Sequence, residues 1–160
     1  MFGKKKGQAT IEYLVLLAVA IIIALVIFAF MGWIPGFAGS LKERQVKLYW
    51  SSQYPIQIRE YKFFNQSGHG NLTLQVQNVA DYQINITGFS TRSASNNTPT
   101  YILLPGETKV ISYILGSYNT ICSKVGDPYE LTEVKINYTI IGGIQNMVET
   151  GDRPLVGTCQ

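Results

Sequence analysis

Few side chains in this sequence are of the types that do chemistry, and they are badly spaced for it. The only histidine, His69, sits in "NQSGHGNL", a turn-like stretch between two alternating runs. Cys122 and Cys159 are the only cysteines. With one histidine and no Cys-x-x-Cys, a metal site lacks ligands, and a Ser/His/Asp or Cys/His arrangement has little support. Glu107, Asp127, Glu130 and Glu133 are scattered: Glu107 belongs to the turn "PGET", and Glu130 and Glu133 flank a strand. Nothing points to a glycosidase-like carboxylate pair, and no Gly-rich phosphate loop joins a strand to a helix. The expectation is a non-enzyme with no metal and no cofactor.

One carboxylate stands apart. Glu12 is the only charge between Ile11 and Met31. A helix of that length spans about 32 Å, close to the roughly 30 Å of a bilayer core. It is apolar on every face, so it must be surrounded by lipid or by other helices. Lys4, Lys5 and Lys6 precede it and account for the whole net charge of +3. By the positive-inside rule they hold the N-terminus in the cytoplasm and send the rest of the chain outside. No basic patch remains to bind nucleic acid, and three lysines are few for a polybasic lipid-binding tail.

An extracytoplasmic location gives the cysteines a role. An even count outside the cell implies a Cys122–Cys159 bridge, which would pin the tail "GDRPLVGTCQ" to the body of the domain. The same region holds five N-x-S/T sequons, at Asn65, Asn71, Asn85, Asn96 and Asn137, where about one or two are expected by chance. They mark candidate N-glycosylation sites, Asn96 being the least favourable because Pro99 follows Thr98. A polar, Asn- and Thr-rich β surface would give the same pattern without glycans.

The elements follow from hydrophobic period. After the span, Gly32, Pro35, Gly36 and Gly39 form a Gly/Pro joint at 32–39, with Trp33 and Phe37 suited to a membrane interface. "SLKERQVKLYWSSQYP" reads as a short amphipathic helix, with Ser40 and Glu43 at capping-box spacing and Pro55 closing it. From Ile56 the period changes to two, in "NLTLQVQ", "DYQINITGF", "TKVISYIL" and "EVKINYTII". About seven short strands fit, the size of an immunoglobulin-like sandwich. In "NITG" and "NYTI" Asn and Thr share the face opposite the apolar residues. Tyr49, Trp50, Tyr54, Tyr61, Phe63 and Phe64 read as the seam where the amphipathic helix packs on the sheets, with a sticky subunit interface as the competing use.

"KKKGQATIEYLVLL" resembles the class III signal peptides of archaeal type IV pilin-like proteins. In that family a short basic leader and a Gly precede a Gln-x-Ser-x-Glu-x-x-x-Leu pattern that runs into the apolar helix. Here Gln8, Thr10 in place of Ser, Glu12 and Leu16 match, with Gly7 ahead of the cut. The resemblance covers about 25 residues. It implies cleavage between Gly7 and Gln8 by a prepilin peptidase, then filament assembly driven by a cytoplasmic ATPase and a membrane platform protein. Physically, a bare carboxylate in a dry helix bundle is costly. The free amine that cleavage creates on Gln8 of a neighbouring copy would pair with Glu12 and set the axial register, as one buried polar residue does in a coiled coil. The competing reading of Glu12 is a marker of the headgroup boundary.

The expected organisation is α+β: a basic leader at 1–7, an assembly or transmembrane helix at 8–54, and an extracellular β-sandwich at 55–160. The expected function is a structural subunit of a surface filament whose partners are copies of itself, with membrane lipid around the helix before assembly. Two alternatives share much of the pattern. One is a single-span anchored binding or adhesion protein, or a minor pilin. The other is a conventional secretory signal cut after Ala38, although its apolar run of 21 residues exceeds the roughly 7–15 usual for such signals.

Overall fold

The computed structural model describes residues 5–33 and 37–160, with side chains described for 11–29 and 41–160. The chain is α+β and divides into two compact units, Met1–Gly39 and Ser40–Gln160. Helix α1 (Lys5–Trp33) contains a window, Ile11–Ala29, with a mean hydropathy of 3.0 and no residue buried within the chain. It is long and apolar enough to cross a membrane.

Helix α1 ends at Trp33 and the next helix begins at Phe37, both within the expected joint at 32–39, although not every glycine there is a breaker. Gly32 lies inside α1, and Gly39 lies inside α2 (Phe37–Ser51), so neither glycine ends a helix. Pro35 and Gly36, like Lys4 of the leader, lie outside the described residues, and so do the side chains of Trp33 and Phe37. Because α2 starts at Phe37, Ser40 sits in its first turn and is not the N-cap. Helix growth is cooperative, so a helix held further along its length extends past a weak local start signal. At the other end α2 stops ahead of Pro55. Ser51 and Ser52 hydroxyls donate to the Leu48 and Tyr49 carbonyls at 2.9 and 2.8 Å, and Gln53 Nε2 donates to Tyr49 at 3.2 Å. These side chains satisfy carbonyls that a helix terminus leaves without donors.

The second unit is built from antiparallel strands. β1 (Ile56–Gln66) and β2 (His69–Asn78) form a hairpin, and β6 (Thr108–Ser117) pairs with β2 to complete the first sheet. The hairpin turn is Ser67-Gly68, both at positive φ (54° and 84°), the backbone conformation that lets a two-residue connection match the right-handed twist of the strands. In the second sheet β3 (Ile84–Ser90) is flanked by β4 (Ser95–Asn96) and β5 (Tyr101–Leu103) on one side. On its other side come β8 (Lys135–Ile140) and then β9 (Met147–Thr150). A short helix α3 (Tyr118–Ile121) and a ribbon of β7 (Pro128–Leu131) with β10 (Leu155–Thr158) complete the chain.

Each alternating run read from sequence is a strand, although β3 begins at Ile84 and leaves Tyr82 half-buried outside it. In β1 the buried set changes parity, from Ile56 and Ile58 to Tyr61 and Phe63. A register slip between Ile58 and Glu60 makes the change. β3 does the same between Ile86 and Phe89, with its slip ahead of Gly88. An extra residue in one strand is what lets side chains of opposite parity face one core. That core is shared by both sheets and by Val46 and Trp50 of α2.

The aromatic cluster forms the seam for the most part. Trp50, Tyr61 and Phe63 are buried and Tyr49 and Phe64 half-buried, while Tyr54 is 63% exposed. Trp50, at 0% exposure, packs its six-membered ring against Gly151, where a Cβ would stand 2.0 Å from its Cη2. No side chain fits there unless the indole moves. We expect Gly151→Ala to cost about 1–3 kcal/mol of unfolding free energy, as overpacking does, measured by urea denaturation of the intact chain.

Candidate functional site

The residues singled out from sequence fall on three separate places. The first is the start of α1. The peptide between Gly7 and Gln8 lies within the α1 backbone, while the side chains of Lys5, Lys6, Gln8 and Thr10 are outside the described set. Glu12 is exposed, the second residue of the membrane-length window, with Leu16 one turn further along. A helix puts residues four apart on one face, so Glu12 and Leu16 share a stripe. The rest of that stripe is apolar, as are the other faces. A carboxylate there is one residue from the window's edge, where reaching the headgroups costs little.

The second place is the disulfide. Cys122 follows α3 and Cys159 follows β10; they are joined, with their Cα atoms 6.1 Å apart. Around the bridge the tail is held by backbone bonds: Gly126 N–H to Cys159 O at 2.8 Å, Cys159 N–H to Asp127 O at 2.8 Å, and Gln160 with Phe63 and Asn65 on β1, each at 3.0 Å. Phe63 stacks on Tyr118 beside it, centroids 5.7 Å apart. The bridge thus ties the ribbon's end to α3, and the Gln160 backbone bonds tie it to β1.

The sequons make up the third place, and the fold separates them. Asn65 is exposed at the end of β1, its Oδ1 accepting from Gly68 N–H at 2.8 Å, which leaves Nδ2 to solvent. Asn71 is only 8% exposed and its amide donates to Gln66, so a glycan there is incompatible with the packed strand. Asn96 uses its Nδ2 on the Ile114 carbonyl at 3.0 Å. Asn85 and Asn137 are half-buried on the outward face of the second sheet, Asn85 opposite Thr139 and Asn137 opposite Gly88. Their sequons therefore lie side by side on neighbouring strands.

The carboxylates weighed for catalysis are each engaged by another group of the fold. His69 is the first residue of β2, just past the turn, and exposed. Glu107 accepts from Leu104 N–H at 2.7 Å and pairs with Lys109 at 3.2 Å; these contacts hold its pKa below the usual carboxylate value. Asp127 accepts from Lys124 N–H, Glu130 pairs with Lys42 at 2.8 Å, and Glu133 lies 3.7 Å from Arg92. Among the described residues no three His, Cys, Asp or Glu side chains are grouped as metal ligands.

Sequence reasoning missed Glu149. It occupies a core-facing position of β9, is 9% exposed, and neither carboxylate oxygen has a hydrogen-bond partner of normal geometry. Burial pushes its pKa up to about 7, which the nearby Ile56 backbone N–H offsets only in part. The alternation "MVET" carries the signal, since Met147 and Glu149 share a face, but only strand pairing shows which face is inside.

Two outcomes follow. The loop closed by the bridge spans 37 positions of sequence separation, so replacing both cysteines by serine should lower stability by about 4 kcal/mol in urea titrations. For Glu149 the folded state holds its proton more tightly than the unfolded chain, whose ordinary value is 4.5. Stability therefore falls as pH rises from about 4.5 to about 7 and then levels off. Glu149→Gln should flatten that slope and stabilise the protein at pH 8 by up to about 3 kcal/mol, read from urea midpoints across the pH range. Comparison with known proteins adds no name to these residues: no family model matches the chain, and no curated protein is similar to it.

Proposed function

We propose that this chain is a structural subunit of an archaeal type IV pilus-like surface filament, made as a membrane precursor and polymerised through α1 once residues 1–7 are removed. One observation carries the reading. Lys4, Lys5, Lys6, Gly7, Gln8, Thr10, Glu12 and Leu16 run in a single register into a helix whose membrane-length window buries nothing within its own chain. Lipid surrounds that helix in the precursor, whose N-terminus is cytoplasmic; other copies surround it in the filament. The exchange conserves apolar burial, so extraction from the membrane need not expose α1 to water. Glu12 pairs with the new amine of Gln8 on a neighbouring copy and fixes the axial register. The prepilin peptidase, assembly ATPase and platform protein are the partners this family resemblance implies.

The strand order supports an immunoglobulin-like sandwich for the outer domain. β1–β2–β6 follows the A–B–E order, and β3–β8–β9, with β4 and β5 beside β3, follows C–F–G with an added edge. Of the sequons, Asn65 is the best placed to carry a glycan, because its amide nitrogen faces solvent. The second reading, an anchored binding protein or minor pilin, is favoured by one feature: an uncharged groove of about 390 Å³ lined by Thr87, Asn97, Asn137, Asn146, Met147 and Val148.

The test is the mature N-terminus of the chain in fibres sheared from native cells, determined by mass spectrometry. A start at Gln8 in the fibre fraction is expected. A Gln8 start confined to membranes favours the anchored protein, and an uncut chain, or a start at Gly39 in the medium, overturns the filament reading. Glu12→Gln should still be cleaved, with filament yield down at least about tenfold, since the Gln8 amine loses its charged partner in a dry core.

A further inference from the structure

The outward face of α2 is left over after the second unit has packed. Val46 and Trp50 point into the core, yet Leu48 is 71% exposed and Leu41 44% exposed. Residues 41, 44, 48 and 51 follow the three-and-four spacing of one helical stripe. The helix thus carries a second stripe, apolar and cationic, with Arg44 between the two leucines. Facing it is the bulge of β1, whose register slip leaves both Arg59 and Glu60 exposed. Arg44, Lys47, Leu48 and Ser51 of α2, with Arg59 and Glu60, line a groove of about 380 Å³.

The charges in this groove divide into two sets. Burial works against the Lys47 ammonium, but Glu60 at 3.1 Å and Glu43 at 3.3 Å hold its pKa above the ordinary value. That triad absorbs both carboxylates. Arg59 reaches only the neutral Gln77, Nε to Oε1 at 2.9 Å, and among the described residues Arg44 has no carboxylate within salt-bridge distance. Two guanidinium groups without an acid therefore flank an exposed leucine.

We propose that this stripe and groove are a docking surface for the headgroup layer of an anionic bilayer. Arg44 and Arg59 bind lipid phosphates while Leu41 and Leu48 enter the acyl boundary. The proposal rests on reading α1 as a membrane span. A guanidinium pairs with a phosphate through two parallel hydrogen bonds, and attachment to an anionic lipid surface strengthens with each basic residue near it and with the apolar area buried. Leu48 is nineteen residues past Ala29, the end of the span, so the contact is intramolecular and a weak surface suffices. A second copy is the rival occupant. A symmetric pairing of identical stripes would set Arg44 and Arg59 against like charges, which is costly.

The experiment places a nitroxide spin label at Leu48→Cys in the full-length chain, attached after the native disulfide has formed, in phosphatidylglycerol-rich and in phosphatidylcholine nanodiscs. Collision with oxygen against a water-soluble nickel reagent reports depth. We expect the oxygen-to-nickel ratio at 48 to be at least about threefold higher in the anionic bilayer, and to fall back in high salt and in Arg44→Gln/Arg59→Gln. A label at Val110, exposed on β6, should show no such rise. A label at Ile22→Cys reports insertion of α1 separately. Lipid-exposed 22 with water-exposed 48 in both bilayers overturns the docking surface alone, and water-exposed 22 overturns the span as well. Shielding of 48 from both reagents that grows with protein density and ignores headgroup charge assigns the face to a second copy and overturns the proposal.

Discussion

A helix that is apolar on every face and buried nowhere in its own chain is the constraint on which the rest of this protein depends. The window Ile11–Ala29 has no inward side to offer a core, so it must be solvated by something other than the chain that carries it. The chain divides into two compact units, and the β unit closes its own core. It does so with two sheets, the Val46 and Trp50 side of α2, and one disulfide. Glu12 is the only charge within that window.

Within the β unit, two register slips do much of the positioning. The slip in β1 switches the buried set from even to odd positions, and it also leaves Arg59 and Glu60 together on the outside, across from α2. The slip in β3 lets Phe89 join Ile84 and Ile86 inside and sets Gly88 beneath the Asn97 side chain, where a Cβ would stand 2.3 Å from Oδ1. In each case the residue that corrects the packing also shapes a groove on the outer surface. Glu149 runs against the general economy of the core. It is a buried carboxylate with no cation in salt-bridge contact, and its cost grows with pH.

What could be read from residues alone had a local cause. The membrane-length helix, the change of period near Ile56, the alternating strands and the pairing of the only two cysteines depend on composition, spacing and compartment, which act over a few residues or need no geometry. The local stop of α2 was less legible. Ser51, Ser52 and Gln53 end it by taking carbonyls, four residues ahead of the proline that marks a breaker in sequence. The Ser40 capping signal was overridden, since helix growth is cooperative and capping is worth only about 1 kcal/mol.

Nothing in the sequence separates the sequons of Asn65 and Asn71, yet packing leaves Asn65 exposed and buries Asn71, six residues away on the partner strand. The burial of Glu149 and the meeting of Arg44 with Arg59 were invisible for the same reason. The sequence by itself determined that two helices precede a run of short strands, that α1 needs an apolar surrounding, and that the cysteines close a loop. The tertiary structure decided which face of each strand is inside, where parity switches, and which distant charges share a groove. Local propensity and periodicity act through neighbours along the chain, whereas register and burial are set by contacts between residues far apart in it.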